Sequence, residues 1–277
     1  KGAIGGNISD LRGWCTLFFD GLVASNNKYL KAWDFQIYRA LKGWYLDTPW
    51  YSAEAWLTRG INPAHIIVEC LTNPVWGRGY QLSQLDEESF RSAANTLCDE
   101  DFGLNFNWAR DVTLTQFISI VVNHIGASLY TDRITGLVAI KLLRQDYDPA
   151  ALPVFDYTSG LIQILDDATT APDSSHNELV INYIDPVDGE KRQVRIQNLA
   201  GIQASNSIAS TSVDYLGAPS ASLAGRIGQR DMSIQAAGLR KFTLKMDRRA
   251  RKIQPGGVFR IAATDRGIAD MVLRCAS

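Results

Sequence analysis

Apolar positions in the middle of the chain recur every three to four residues. In LDEESFRSAANTLCDE, Phe90, Ala93, Ala94, Leu97 and Cys98 fall at i, i+3, i+4, i+7 and i+8. That is one apolar stripe of a helix, with acidic residues at the N-terminal end, where the helix dipole favours them. Upstream, Asn62-Pro63 predicts a helix start, because Asn caps free backbone amides and Pro suits the first helical position. The helix AHIIVECL should stop before Asn73-Pro74, since Pro disfavours helix in the preceding residue. A third helix is predicted from Thr113 or Thr115 to Asn123, presenting Phe117, Ile120 and Val121, with Gly126 as its stop.

Elsewhere the period is two. WCTLFFDGLVASNNKYLKAWDFQIYRAL, between Gly13 and Leu41, reads as two strands around the Ala24–Asn27 turn, with Trp33, Phe35 and Ile37 on one face. ASLYTDRITGLVAIKLL predicts a hairpin turning at Asp132–Gly136. Past the linker DYDPAALP the texture is β. NELVINYIDPVDGEKRQVRIQNL is the clearest hairpin, turning at Pro-Val-Asp-Gly. RKFTLKMD and VFRIAA predict further strands, separated by the Pro255-Gly256-Gly257 turn. Residues 200–225, rich in Ser, Ala and Gly, predict an exposed loop or extended arm.

Composition narrows the class. The chain has 277 residues, 46% hydrophobic and 21% charged, the balance of a packed globular protein of about two domains. No run reaches the ~18 apolar residues of a membrane-spanning helix. The chain opens on KGAIGG, without the charged and apolar segments of a secretory leader, and reads as part of something longer. Cys15, Cys70, Cys98 and Cys275 are scattered without CxxC spacing, as expected of small buried hydrophobes in a reducing compartment.

The net charge of −1 hides a segregation. Residues 84–186 carry 16 acidic against 5 basic side chains, a net of −11, and residues 226–277 carry 12 basic against 4 acidic, a net of +8. Opposite blocks in one chain can steer self-assembly, or they can be the solvated faces of separate domains. A nucleic-acid reading of KFTLKMDRRARKIQPGG is weakened by its single aromatic, Phe242, which offers no platform for stacking bases.

Catalytic chemistry is hard to find. There is no HExxH pair, GxSxG elbow, Walker loop or GxGxxG between a strand and a helix. His65 and His124 fall in predicted helices and His176 in a Ser-rich loop, which is no metal-ligand spacing. Asp99-Glu100-Asp101 and Asp166-Asp167 imitate paired carboxylates or a cation site, but adjacent acids on polar segments are usually solvated. The tryptophans, among them Trp33, Trp44, Trp50 and Trp56, suggest sugar binding less than core or interface anchoring. No catalytic, cofactor-binding or metal-binding residue is assigned.

The run INPAHIIVECLTNPVWGRGYQLSQLDEESFRSAANTLCDEDFGLNFNW resembles the tail-hub or tip-attachment proteins of long-tailed bacteriophages, the group of the J-type host-specificity protein. The resemblance lies in the NPA helix start at Asn62-Pro63-Ala64, the turn Leu71–Gly77 with Gly79, and the helix with Phe90, Ala93, Ala94 and Cys98-Asp99-Glu100. Asn26–Arg39 is similar to the family's "N.PYLKPW.F...R" strand pair, with Lys28 and Ala32 where Pro is more usual. NELVINYID and RKFTLKMDRRARKIQPGGVFRIA resemble its late β domain.

The resemblance implies an α+β chain in three parts: residues 1–56 the end of a first β-rich, barrel-like ring domain, 57–150 an α/β decorating domain, and 151–277 a second ring domain. It implies a non-enzymatic, cofactor-free homotrimeric hub at the virion tail tip, made in the host cytoplasm and joining the tail tube to the host-recognition apparatus. Its partners would be itself and other tail proteins (distal tail or tube, and tape-measure). The host receptor would be met only through regions outside this chain, and DNA only as passing cargo, with no membrane insertion. The alternatives are the hub of a bacterial contractile injection system, or a tail-associated cell-wall hydrolase or sugar-binding protein. On the hub reading, part of Arg240–Arg251 should face acidic groups of an adjacent copy, or else line the ring lumen.

Overall fold

The computed structural model describes residues 55–106, 108, 112–169, 176–237 and 239–276. The predicted hairpin of residues 13–41, together with Cys15, Trp33, Trp44 and Trp50, lies outside them.

The first elements are a short antiparallel pair, β1 (Trp56–Leu57) and β2 (Gly60–Ile61), followed by α1 (Pro63–Thr72). Asn62 caps α1 as its sequence predicts. Its side-chain oxygen accepts from the Ala64 amide at 3.1 Å, while its Nδ2 donates to the Ala94 carbonyl at 2.9 Å, tying α1 to the next helix. That helix is α2 (Glu87–Asp99), with Glu87 and Glu88 in its first turn and Phe90, Ala93, Ala94 and Leu97 buried. Helix α3 (Leu114–Ile125) begins in a Thr113–Gln116 capping box and ends at Gly126, whose left-handed φ of 61° replaces the helical bond. It runs two residues past the predicted end. Its buried face is Phe117, Ile118, Val121 and Ile125, so Ile120 falls on the outer side.

The hairpin β3 (Ala127–Thr131) and β4 (Val138–Leu142) forms as expected, with Gly136 at a φ of 74° in its turn. Next come β5 (Val154–Phe155) and β6 (Leu161–Thr169). The clear hairpin is β7 (Glu178–Ile184) and β8 (Lys191–Gln197), and β9 (Ser210–Asp214) adds to β7 in parallel. Between β8 and β9 lies α4 (Leu199–Ser205), and after β9 comes α5 (Ala221–Ala237). The last strands are β10 (Arg240–Met246), β11 (Val258–Ala263) and β12 (Ile268–Arg274).

Residues 200–225 are therefore not an extended arm. They hold most of α4, all of β9 and the first turn of α5. Further along α5 a small residue is required where the helix lies close on the sheet: a Cβ at Gly228 would stand 2.8 Å from Ile181 Cγ1 and 3.0 Å from Ile196 Cγ1. Nor do β10 and β11 pair across the Pro255 turn. β10 runs antiparallel to β6, and β11 lies between β12 and β5.

The class is α+β. Among the described residues the sheets have two or three strands each, and none closes into the barrel expected of a ring domain. Two apolar cores hold the elements. The larger gathers α1, α2 and α3, the β3–β4 hairpin, Leu179 and Ile181 of β7, and Leu223, Ala224, Ile227 and Met232 of α5. The smaller packs Leu161 and Ile164 of β6 against Phe155, Phe259, Ile261 and Ile268 of the β12–β11–β5 sheet. Residues from both sides of position 150 thus share the larger core.

Candidate assembly surface

One cluster of buried polar groups holds elements together. His124, at the end of α3, sets Nδ1 2.7 Å from the Ile120 carbonyl, while its Nε2 accepts from the Gly217 amide at 3.3 Å. Those contacts require the neutral ring with its proton on Nδ1. Burial lowers its pKa to about 4. Phe106 and Tyr215 pack edge-on against the ring. The Tyr215 hydroxyl donates to Asp231, and burial followed by that carboxylate raises its pKa to about 12. Arg230 pairs with Asp231 at 2.9 Å and donates to the His124 and Asn123 carbonyls at 2.8 and 3.0 Å. A cation thus closes the carbonyl end of α3. Every polar atom in this cluster faces a protein partner, which is the geometry of a rivet between α3 and α5.

The carboxylates singled out in the sequence do not converge. Glu100 takes a two-bond grip from Arg144 at 2.7 Å each, while Asp101 accepts from Thr58 and Asp99 is exposed. Asp167 is gripped by Arg240 at 2.7 and 2.6 Å, and Asp166 is exposed. The Arg240 bonds hold the Asp167 carboxyl below its usual range. Among the described residues no three His, Cys, Asp or Glu side chains are grouped to hold a metal ion. Cys70, Cys98 and Cys275 form no disulfide; Cys70 is buried and the other two are half-buried. His65 is buried in α1 and His176 lies in the segment before β7. Two clefts among the described residues enclose about 430 and 380 Å3, and neither is lined by an Asp or Glu.

The basic segment is the most organised surface feature. Along β10, Phe242, Leu244 and Met246 turn towards the smaller core and Lys241, Thr243 and Lys245 turn outward. After Asp247 the chain makes a 3-10 helix, Arg248–Lys252. With three residues per turn, Arg248 and Arg251 share one side while Arg249 and Lys252 share another. Asp247 caps this turn, accepting from the Arg249 amide at 2.8 Å and from its Nε at 2.7 Å. Arg240 and Arg249 are therefore satisfied within the chain. Lys241, Lys245, Arg248 and Arg251 are exposed, with no ion-pair partner among the described residues.

Beside these cations β6 carries exposed apolar groups that the sequence did not flag. Ile162 and Leu165 are 52% and 57% exposed and sit where the β6–β10 register slips. Each slip leaves one β6 residue without a cross-strand partner and breaks the alternation that would have announced the strand. The outer face of this ribbon thus mixes apolar and basic groups.

Residues 158–275, spanning β6 to β12, match the sequence profile of the Phage-tail_3 family, described as "Putative phage tail protein". That part of the chain is similar to phage tail proteins. Among solved structures, the tail protein from Neisseria meningitidis MC58 aligns at 13% identity and a TM-score of 0.40, over 61% of this chain and 50% of that one. The prophage MuSo2 43 kDa tail protein from Shewanella oneidensis aligns at 10% identity and a TM-score of 0.35, over 62% and 51%. The chain spans about half the length of each. No curated protein matches it.

Proposed function

We propose that the chain is a non-enzymatic structural hub at the tip of a phage or prophage tail. It would form a trimeric ring that joins the tail tube to the host-recognition apparatus. The observation that carries the reading is the phage-tail match over residues 158–275, which coincides with the segment bearing the exposed, unpaired cations Lys241, Lys245, Arg248 and Arg251. A closed ring of identical subunits needs two different, complementary patches on each copy. The basic face supplies one, and the exposed acids of residues 84–186, Glu88, Asp99 and Asp166 among them, supply the other. Distal tail, tube and tape-measure proteins would flank the ring, and DNA would pass only as cargo.

The test labels intact tails with an antibody against residues 240–252 after partial disassembly, and compares particles carrying Arg248→Glu with Arg251→Glu. Label confined to the tip, together with loss of tip assembly in the variant that high salt does not rescue, is the expected result. Label distributed along the tube would refute the hub, and normal tips in the variant at low salt would refute the basic interface.

A further inference from the structure

We propose that the cleft between the β3–β4 hairpin and the turn after the 3-10 helix receives an acidic peptide segment of a partner protein. The segment would carry a carboxylate next to an apolar side chain. The cleft encloses about 380 Å3, and Lys141 of β4, Lys252 and Gln254 line it. Its apolar wall is formed by Phe155, Ile253 and Val258.

Three features select the occupant. The first is charge: Lys141 and Lys252 are exposed, have no ion-pair partner among the described residues, and share a cleft lined by no carboxylate. Arg249 also lines it, but Asp247 already neutralises that guanidinium. Two lysines therefore remain for an anion, which they hold as point charges. The second feature is an orphan. The side-chain oxygen of Gln254 is buried and accepts no hydrogen bond, although the Gln254 main-chain carbonyl is used by the Gly257 amide at 2.9 Å. A buried acceptor without a donor is costly, so a side-chain shift that turns this oxygen to an N–H of the occupant is favourable. A peptide backbone carries an N–H next to an apolar side chain; phosphate brings only its hydroxyl and no apolar group for the wall. The third feature is the apolar wall, which gives an aliphatic side chain a place to leave water and would repel a bare hydrated anion.

The backbone around the cleft is fixed. Gly256 has a φ of 79°, and a Cβ there would stand 3.1 Å from Leu143 and 3.3 Å from Lys141. The turn lies directly on β4, and the Gly256 amide donates to the Cys275 carbonyl at 2.8 Å. Such a site binds by lock and key, with little ordering left to do. It uses the side of the 3-10 helix opposite Arg248 and Arg251, and it does not rest on the ring proposed above.

The experiment is a titration of the 15N-labelled 277-residue chain, followed by amide shifts. The probes are acetyl-Leu-Glu-Val-amide, its analogue acetyl-Leu-Gln-Val-amide, and inorganic phosphate. The glutamate peptide should saturably move the Gln254 side-chain amide and the Gly257 backbone amide. The glutamine analogue should bind at least about tenfold more weakly, as loss of a charge-assisted contact requires. Binding should vanish in the surface double variant Lys141→Ser with Lys252→Ser. It should persist in Lys245→Ser and in Arg248→Glu with Arg251→Glu. Equal response to both peptides, the same shifts with phosphate alone, no saturable shift, or equal loss in the Arg248 and Arg251 variant would each overturn the assignment. The last outcome would leave the ring proposal standing, since it would show only general attraction to the basic face.

Discussion

His65 and His124 show how a residue's neighbours decide its chemistry. Both were legible in the sequence as helical histidines without ligand spacing. What the sequence could not show was their isolation from water, which lowers each pKa from 6.5 to about 4. Their folded pKa lies below the unfolded one, so the unfolded chain takes up protons first as pH falls. Stability from keeping these rings neutral is therefore complete above pH 6.5 and is lost as the pH falls towards 4. The gap corresponds to on the order of 3 kcal/mol for each buried ring. Asp167 and Asp247, whose carboxyls are held below their usual range by arginine, lose their contribution only in more acid solution. The urea midpoint should accordingly drop between pH 7 and pH 4.5, before those carboxylates titrate. An unchanged midpoint would mean that water reaches both rings.

At the scale of elements, legibility followed the strength of local signals. Helices α1, α2 and α3 announced themselves through caps, stripes and stop residues, and the β3–β4 and β7–β8 hairpins through alternation and turn chemistry. Several elements stayed hidden, β6, β12 and α5 among them. Strand β6 was masked by its two register slips and β12 by its mixed polarity. Helix α5 was hidden because Gly and Ala, which read as loop, are what a helix needs to lie close on a sheet. The candidate surface was half legible: the alternation of Lys241 and Lys245 is in the sequence, but the split of Arg248 and Arg251 from Arg249 and Lys252 needs three residues per turn. The placement of Lys141 and Gln254 on one cleft is tertiary and left no local trace. Helix α5 provides its own test through two glycines. A Cβ at Gly225 would meet Val194 at 3.9 Å, an ordinary contact, whereas one at Gly228 would press into Ile181 and Ile196. Gly225→Ala should therefore stabilise the chain by about 0.5–1 kcal/mol through helix propensity. Gly228→Ala should destabilise it by about 1–3 kcal/mol, because overpacking outweighs that gain. Denaturant midpoints of the two variants that moved in the same direction would refute the close seating of α5.

For the whole molecule, the question is whether the helical layer and the β7–β9 sheet stand independently. The sequence suggests that they do, since the helices precede residue 150 and the sheet follows it. The packing joins them: Ile181, on β7, is fully buried in the same core as Phe117, Val121 and Ile125 of α3. Arg230 of α5 closes the end of α3, and the Asn105 amide donates to the Gly217 carbonyl at 2.9 Å. A void at position 181 must then be felt on both sides. Ile181→Ala should cost about 2–5 kcal/mol, the usual range for truncating a buried isoleucine. Hydrogen exchange resolves where that loss falls. Amides of α3 should lose protection together with those of β7 and β8, while β11, whose Ile261 belongs to the smaller core, should keep its own. If α3 kept full protection while β7 and β8 opened, the two layers would be separate folding units. If all three weaken together, the helical layer is a rigid extension of the sheet.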